Sequence, residues 1–114
     1  MSMGVAFSIR DTTASGRSFV MTVTGNLDRA TAHTLEERLR LGPLDLAGDL
    51  VLDLTHVGDV DDSCIRLVAA RSVEATANGR QLRVIAREGP VLAAFESAGL
   101  GYLVDVDRRA VVRR

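Results

Sequence analysis

The chain has 114 residues, of which 46% are hydrophobic and 25% charged, with a formal net charge of −1. That length sustains one domain with a real core rather than two. No apolar run reaches membrane-spanning length and no basic-then-apolar leader opens the chain, so a cytoplasmic protein with no membrane insertion is expected. The near-neutral charge argues against direct nucleic-acid binding, and all 14 basic residues are arginine, which removes P-loop, Schiff-base and lysine-assisted phospho-aspartate chemistry.

Residues 5–9 are apolar and predict a strand, with a Thr-, Ser- and Gly-rich turn over residues 11–16 and a second strand over residues 19–24 that pairs back as a hairpin. Gly25 is read as the end of that strand and Asp28 as the N-cap of a helix, in which Ala32, Leu35 and Leu39 recur at helical spacing until Gly42-Pro43. The run Leu50-Val51-Leu52-Asp53-Leu54 predicts a buried strand with parallel neighbours on both sides. Asp61-Asp62-Ser63 reads as the start of a second helix with an inward stripe of Ile65, Val68, Ala69, Ser72, Val73 and Thr76, closed by Asn78-Gly79. Residues 82–86 return to strand. A third helix opens at Pro90 with Val91, Leu92, Phe95 and Ala98 on one face, and residues 102–106 form a last strand before an arginine-rich tail. The order β-β-α-β-α-β-α-β predicts an α/β fold, a mixed and mostly parallel sheet with right-handed crossovers, as one domain over residues 1–114.

Several of these segments together resemble the STAS family, shared by sulphate transporters and anti-sigma factor antagonists. Val60-Asp61-Asp62-Ser63-Cys64-Ile65 is similar to the family pattern of an aliphatic residue followed by Asp-Ser-Ser-Gly-Leu. Gly25-Asn26-Leu27-Asp28 with Ala30-Thr31-Ala32 resembles its Gly-Glu-Leu-Asp segment. Residues 50–54 resemble its central strand, and Gly79-Arg80-Gln81-Leu82 and Phe95-Glu96-Ser97-Ala98-Gly99-Leu100 complete the match. The resemblance implies a cytoplasmic, non-catalytic interaction domain without a cofactor. In the anti-sigma factor antagonists the second serine of the motif is phosphorylated by an anti-sigma factor that is also a serine kinase, and a serine phosphatase reverses it. That serine corresponds to Ser63 and the preceding aspartate to Asp61.

Two positions depart from the pattern: Asp62 replaces the first serine and Cys64 the glycine. Asp62 either imitates a phosphate or caps the helix, and the capping reading is preferred. Cys64 is expected to intrude on a partner surface fitted to glycine; it reads as a small semi-buried residue rather than a nucleophile, although a helix N-terminus would lower its pKa. A phosphate on Ser63 would add about −1.5 to −2 charges beside Asp61 and Asp62, repelling a bound partner. The expected partner surface comprises Asp28, Asp61, Asp62, Ser63, Cys64 and Ile65. Asp28 joins it because loops after neighbouring parallel strands open at one sheet edge.

Competing chemistries fit less well. His56, Asp59, Asp61 and Asp62 are the only residues resembling a metal site, but their spacing matches no common ligand pattern, so no metal is expected. His33 falls on an exposed helix face. A phospho-receiver built on Asp61 and Asp62 lacks its lysine. The expected function is therefore partner switching in transcription regulation, with a constitutive accessory STAS subunit of a transport or sensory complex as the alternative.

Overall fold

A computed structural model describes residues 6–11, 18–40 and 49–107. Strand β1 (Ala6–Asp11) pairs antiparallel with β2 (Ser18–Leu27), as the hairpin pattern predicts. Helix α1 (Arg29–Arg40) leads to β3 (Asp49–Val60), α2 (Asp62–Ala77) to β4 (Leu82–Ala86), and α3 (Pro90–Ser97) through a 3₁₀ turn (Gly101–Leu103) to β5 (Val104–Val106). The sheet order is β1-β2-β3-β4-β5, with β2 to β5 mutually parallel. The Gly42-Pro43 stop, the turn over residues 12–16 and the tail from residue 108 lie outside the described residues.

Because the strand order advances in one direction, right-handed crossovers place α1, α2 and α3 on the same face of the sheet. Burial follows this asymmetry. Met21, Val23, Leu50, Leu52, Leu54, Leu82, Val84 and Ala86 point toward the helices and are buried with Leu35, Leu39, Val68 and Phe95, whereas Val20, Val51, Asp53 and Ile85, on the other face, are only partly covered. Each fully buried Leu or Phe side chain contributes about 1.5–3 kcal/mol relative to exposure. The apolar run at residues 50–54 does lie between two parallel strands, β2 and β4.

Six sequence expectations are corrected. Gly25 does not end β2: it takes φ 109°, a conformation that glycine adopts without a Cβ clash, and pairing with β3 resumes at Leu27 opposite Val60 after register shifts. β3 does not end at Leu54 but continues through Val60, because Val57 and Val60 supply buried anchors among polar neighbours. The inward stripe of α2 is Cys64, Ile65, Val68, Ser72 and Ala75, rotated by roughly 60° from the expected one. Burial of Cys64 draws the helix that way, leaving Val73 and Thr76 exposed. The last strand is shortened, since residues 101–103 form the 3₁₀ turn and expose Tyr102, and β1 extends over Asp11, which was assigned to the turn. Ala98, expected on the inner face of α3, is its exposed C-cap.

The helices α2 and α3 end as their glycines suggest. After α2, Arg80 N–H donates to the Ala75 carbonyl at 2.8 Å and Gly79 N–H to Thr76 at 3.0 Å, with Gly79 at φ 75°. This is a Schellman closure, which needs a left-handed residue at that point. Gly99 repeats it after α3.

Candidate functional site

The C-terminal ends of β2 and β3 open at one sheet edge, where α1 and α2 begin. Asp28 starts α1 reciprocally with Thr31: the Thr31 N–H donates to Asp28 Oδ1 at 3.0 Å, and the Asp28 N–H donates to Thr31 Oγ1 at 2.9 Å. Its expected N-cap role is thereby met. The neighbouring turn is tied across the sheet by Asp61 N–H donating to the Leu27 carbonyl at 2.7 Å.

Asp61 is the N-cap of α2. Its Oδ2 accepts the Ser63 N–H at 2.9 Å and the Ser63 hydroxyl at 2.6 Å. The hydroxyl is thus held at the mouth of the helix by a carboxylate, partly exposed rather than buried in the core. These bonds, the hydroxyl's first and the backbone N–H second, hold the Asp61 carboxyl below its usual pKa, with the Arg29 charge assisting and partial burial opposing.

Asp62 corrects the capping expectation. It lies inside the first turn of α2, exposed, and ion-pairs with Arg66 at 3.2 Å, while the capping oxygen belongs to Asp61 because only that side chain precedes the helix with extended backbone angles. Cys64 and Ile65, expected on the partner surface, differ as well, although the helical stripe already turned Ile65 inward. Both side chains point into the core, at 0% and 3% exposure, so they offer no side-chain surface to a partner. The Cys64 thiol instead donates to the Asp28 carbonyl at 3.5 Å. Burial pushes its pKa up, opposite to the expected lowering, and the Asp61 and Asp28 charges add to the effect.

Of the expected surface, the structure brings Asp28, Asp61 and Asp62 together around a 320 Å³ cleft, completed by Asn26, Leu27, Asp59 and Val60, with Ser63 hydrogen-bonded to its Asp61 wall. Asp59 enters this cleft only because β3 is longer than expected, and Arg66 was recognisable only as a base four residues after Asp62. His56 stays on the strand beside Thr55 Oγ1 at 3.3 Å, and among the described residues no three His, Cys, Asp or Glu side chains converge as metal ligands. His33 is exposed near Glu37. A larger groove of 530 Å³ lies at the other end of the sheet, lined in part by Val73, Leu82 and Tyr102. Its Arg83 is already bound to Asp105, so the Ser63 hydroxyl and the carboxylates make the smaller cleft the candidate site.

The chain belongs to the STAS domain family: the family described as "Mlab, STAS domain" matches residues 11–105. Its fold is that of solved anti-sigma factor antagonists. One from Mycobacterium paratuberculosis superposes with a TM-score of 0.79 at 20% identity, covering 93% of this chain and 87% of that one. The anti-sigma factor antagonist SpoIIAA in its unphosphorylated form gives 0.75 at 18% identity, covering 93% and 91%. The Bacillus SpoIIAA in its phosphorylated form gives 0.65 at 18%, covering 93% and 95%. No curated protein sequence matches the chain. Among the described residues no helix is long and apolar enough to cross a membrane.

Proposed function

We propose that this STAS domain is a non-enzymatic, cytoplasmic regulator of transcription that binds an anti-sigma factor with serine kinase activity and is released when Ser63 is phosphorylated. The observation that carries the reading is the Ser63 hydroxyl held 2.6 Å from Asp61 at the start of α2, on the edge shared with Asp28. Solved relatives of this fold include an anti-sigma factor antagonist in both unphosphorylated and phosphorylated forms. Asp28, Asp61, Asp62 and Ser63 form the contact surface, with Cys64 and Ile65 supporting it from beneath. ATP is bound by the partner, and a serine phosphatase resets the switch. Phosphate on Ser63 adds about −1.5 to −2 charges to a surface already holding three carboxylates, and its desolvation opposes reassociation.

Incubation with the cognate kinase and ATP, followed by intact-mass measurement, tests this. A single phosphate adduct on wild type that disappears in Ser63→Ala is expected. An adduct that persists in Ser63→Ala would place the acceptor elsewhere. One observation favours a second reading, a constitutive accessory subunit of a transport or sensory complex: Asp62 already places a fixed negative charge next to Ser63. That reading predicts no adduct and identical partners for wild type and Ser63→Asp.

A further inference from the structure

We infer that Arg66 is the counter-charge for phosphorylated Ser63, exchanging Asp62 for the phosphate when the site is modified; this rests on the reading of Ser63 as the phospho-acceptor. On α2, Arg66 follows Asp62 by four residues and Ser63 by three. At 3.6 residues per turn it lies about 40° round the helix from Asp62 and about 60° from Ser63, between the two. Its side chain already reaches back toward the N-terminal turn, since Nε meets Asp62 Oδ2 at 3.2 Å.

That pair is 81% and 67% exposed, hence weak and free to rearrange. A phosphate carries more charge than a carboxylate and presents three acceptor oxygens to a guanidinium fork. The hydroxyl's own partner is the Asp61 carboxylate; Asp28 and Asp59 line the adjoining cleft and add repulsion toward a phosphate, and the field of Arg29 reaches Asp61. Phosphoserine also cannot donate the hydrogen that Ser63 now gives Asp61. Capture of the phosphate by Arg66 offsets that loss and leaves Asp62 unpaired, so modification changes the charge presented at two neighbouring positions instead of one.

The test installs phosphoserine at position 63 during translation, so it needs no kinase and its outcome is independent of whether a kinase uses the site. Phosphorus NMR titration reads the second ionisation of the phosphate in the wild-type background, in Arg66→Gln and in Arg29→Gln. Arg66→Gln is expected to lower that acid dissociation constant about threefold at low salt, with the difference shrinking in high salt. Arg29→Gln should change it less. Equal values for wild type and Arg66→Gln, or a larger effect from Arg29→Gln, would overturn the assignment. Arg66 is exposed, and unchanged circular dichroism of Arg66→Gln verifies that the comparison is between folded proteins.

Discussion

The thiol of Cys64 donates to the main-chain carbonyl of Asp28 at 3.5 Å, joining the first turn of α2 to the start of α1 from inside the protein. The two sides of the candidate partner surface are therefore coupled through a buried contact. A side chain at this position, where the family pattern has glycine, points into the core, while Ser63 beside it stays partly exposed.

Native Cys64 should be inert to a thiol-reactive disulfide reagent and react fully after denaturation, because the thiol is 0% exposed and its pKa is raised by burial. Cys64→Gly should cost about 2 kcal/mol in urea unfolding, through the lost contacts and the flexibility of glycine in a helix. Since burial favours the neutral thiol, its contribution holds below the ordinary value of 9.0 and fades as pH rises beyond it. Rapid modification of the folded protein would show that the site opens.

Asp61→Ala removes the N-cap of α2 and the acceptor of the Ser63 hydroxyl, and should lower Tm by about 4 °C at neutral pH. The native carboxyl titrates below its usual 3.8, so the wild-type advantage is present above that pH and disappears as pH falls through the depressed native value. Melting curves collected from neutral pH into this acid range check the direction. A gap that widened on acidification would contradict the hydrogen bond.

Strand β4 was legible residue for residue, because Leu82, Val84 and Ala86 alternate with half-covered positions and a glycine precedes them. The helix starts at Asp28 and at Asp61-Asp62-Ser63 were legible for the same kind of local reason, capping chemistry that acts within three residues. What stayed hidden depends on contacts distant in sequence. Residues 55–60 are too polar to announce a strand, and only pairing with β2 makes them one. The place of Ser63 and Asp61 at the start of α2 was legible in the sequence. Ile65 was legible as an inward residue, but which of two adjacent aspartates caps, and whether Cys64 faces inward, depends on the rotation of α2 against α1 and the sheet, and periodicity fixed that rotation no better than roughly 60°.

Gly79→Ala should destabilise by about 1 kcal/mol, although an added Cβ would meet nothing within 4 Å. The cost is conformational, since φ 75° is required for the closure on Ala75 and Thr76. Gly79→Asn should cost less, because asparagine tolerates the left-handed region better. Equal losses for the two variants in chemical denaturation would point instead to a hidden packing contact.

The outer strand β5 has only three residues, so little backbone pairing retains it, and Arg83 supplies a side-chain tie from β4. The guanidinium donates to both Asp105 oxygens, at 2.6 and 3.3 Å, and to the Tyr102 carbonyl at 3.1 Å. The pair is 35% and 61% exposed, so solvent screening limits a double-mutant-cycle coupling to about 0.5–1 kcal/mol at low salt, falling further in molar salt. Asp105→Ala should also speed hydrogen exchange at Val104 and Val106 before it affects β3, because β5 borders only β4. Uniform acceleration across the sheet would mean that Arg83 stabilises the whole domain and not this edge alone.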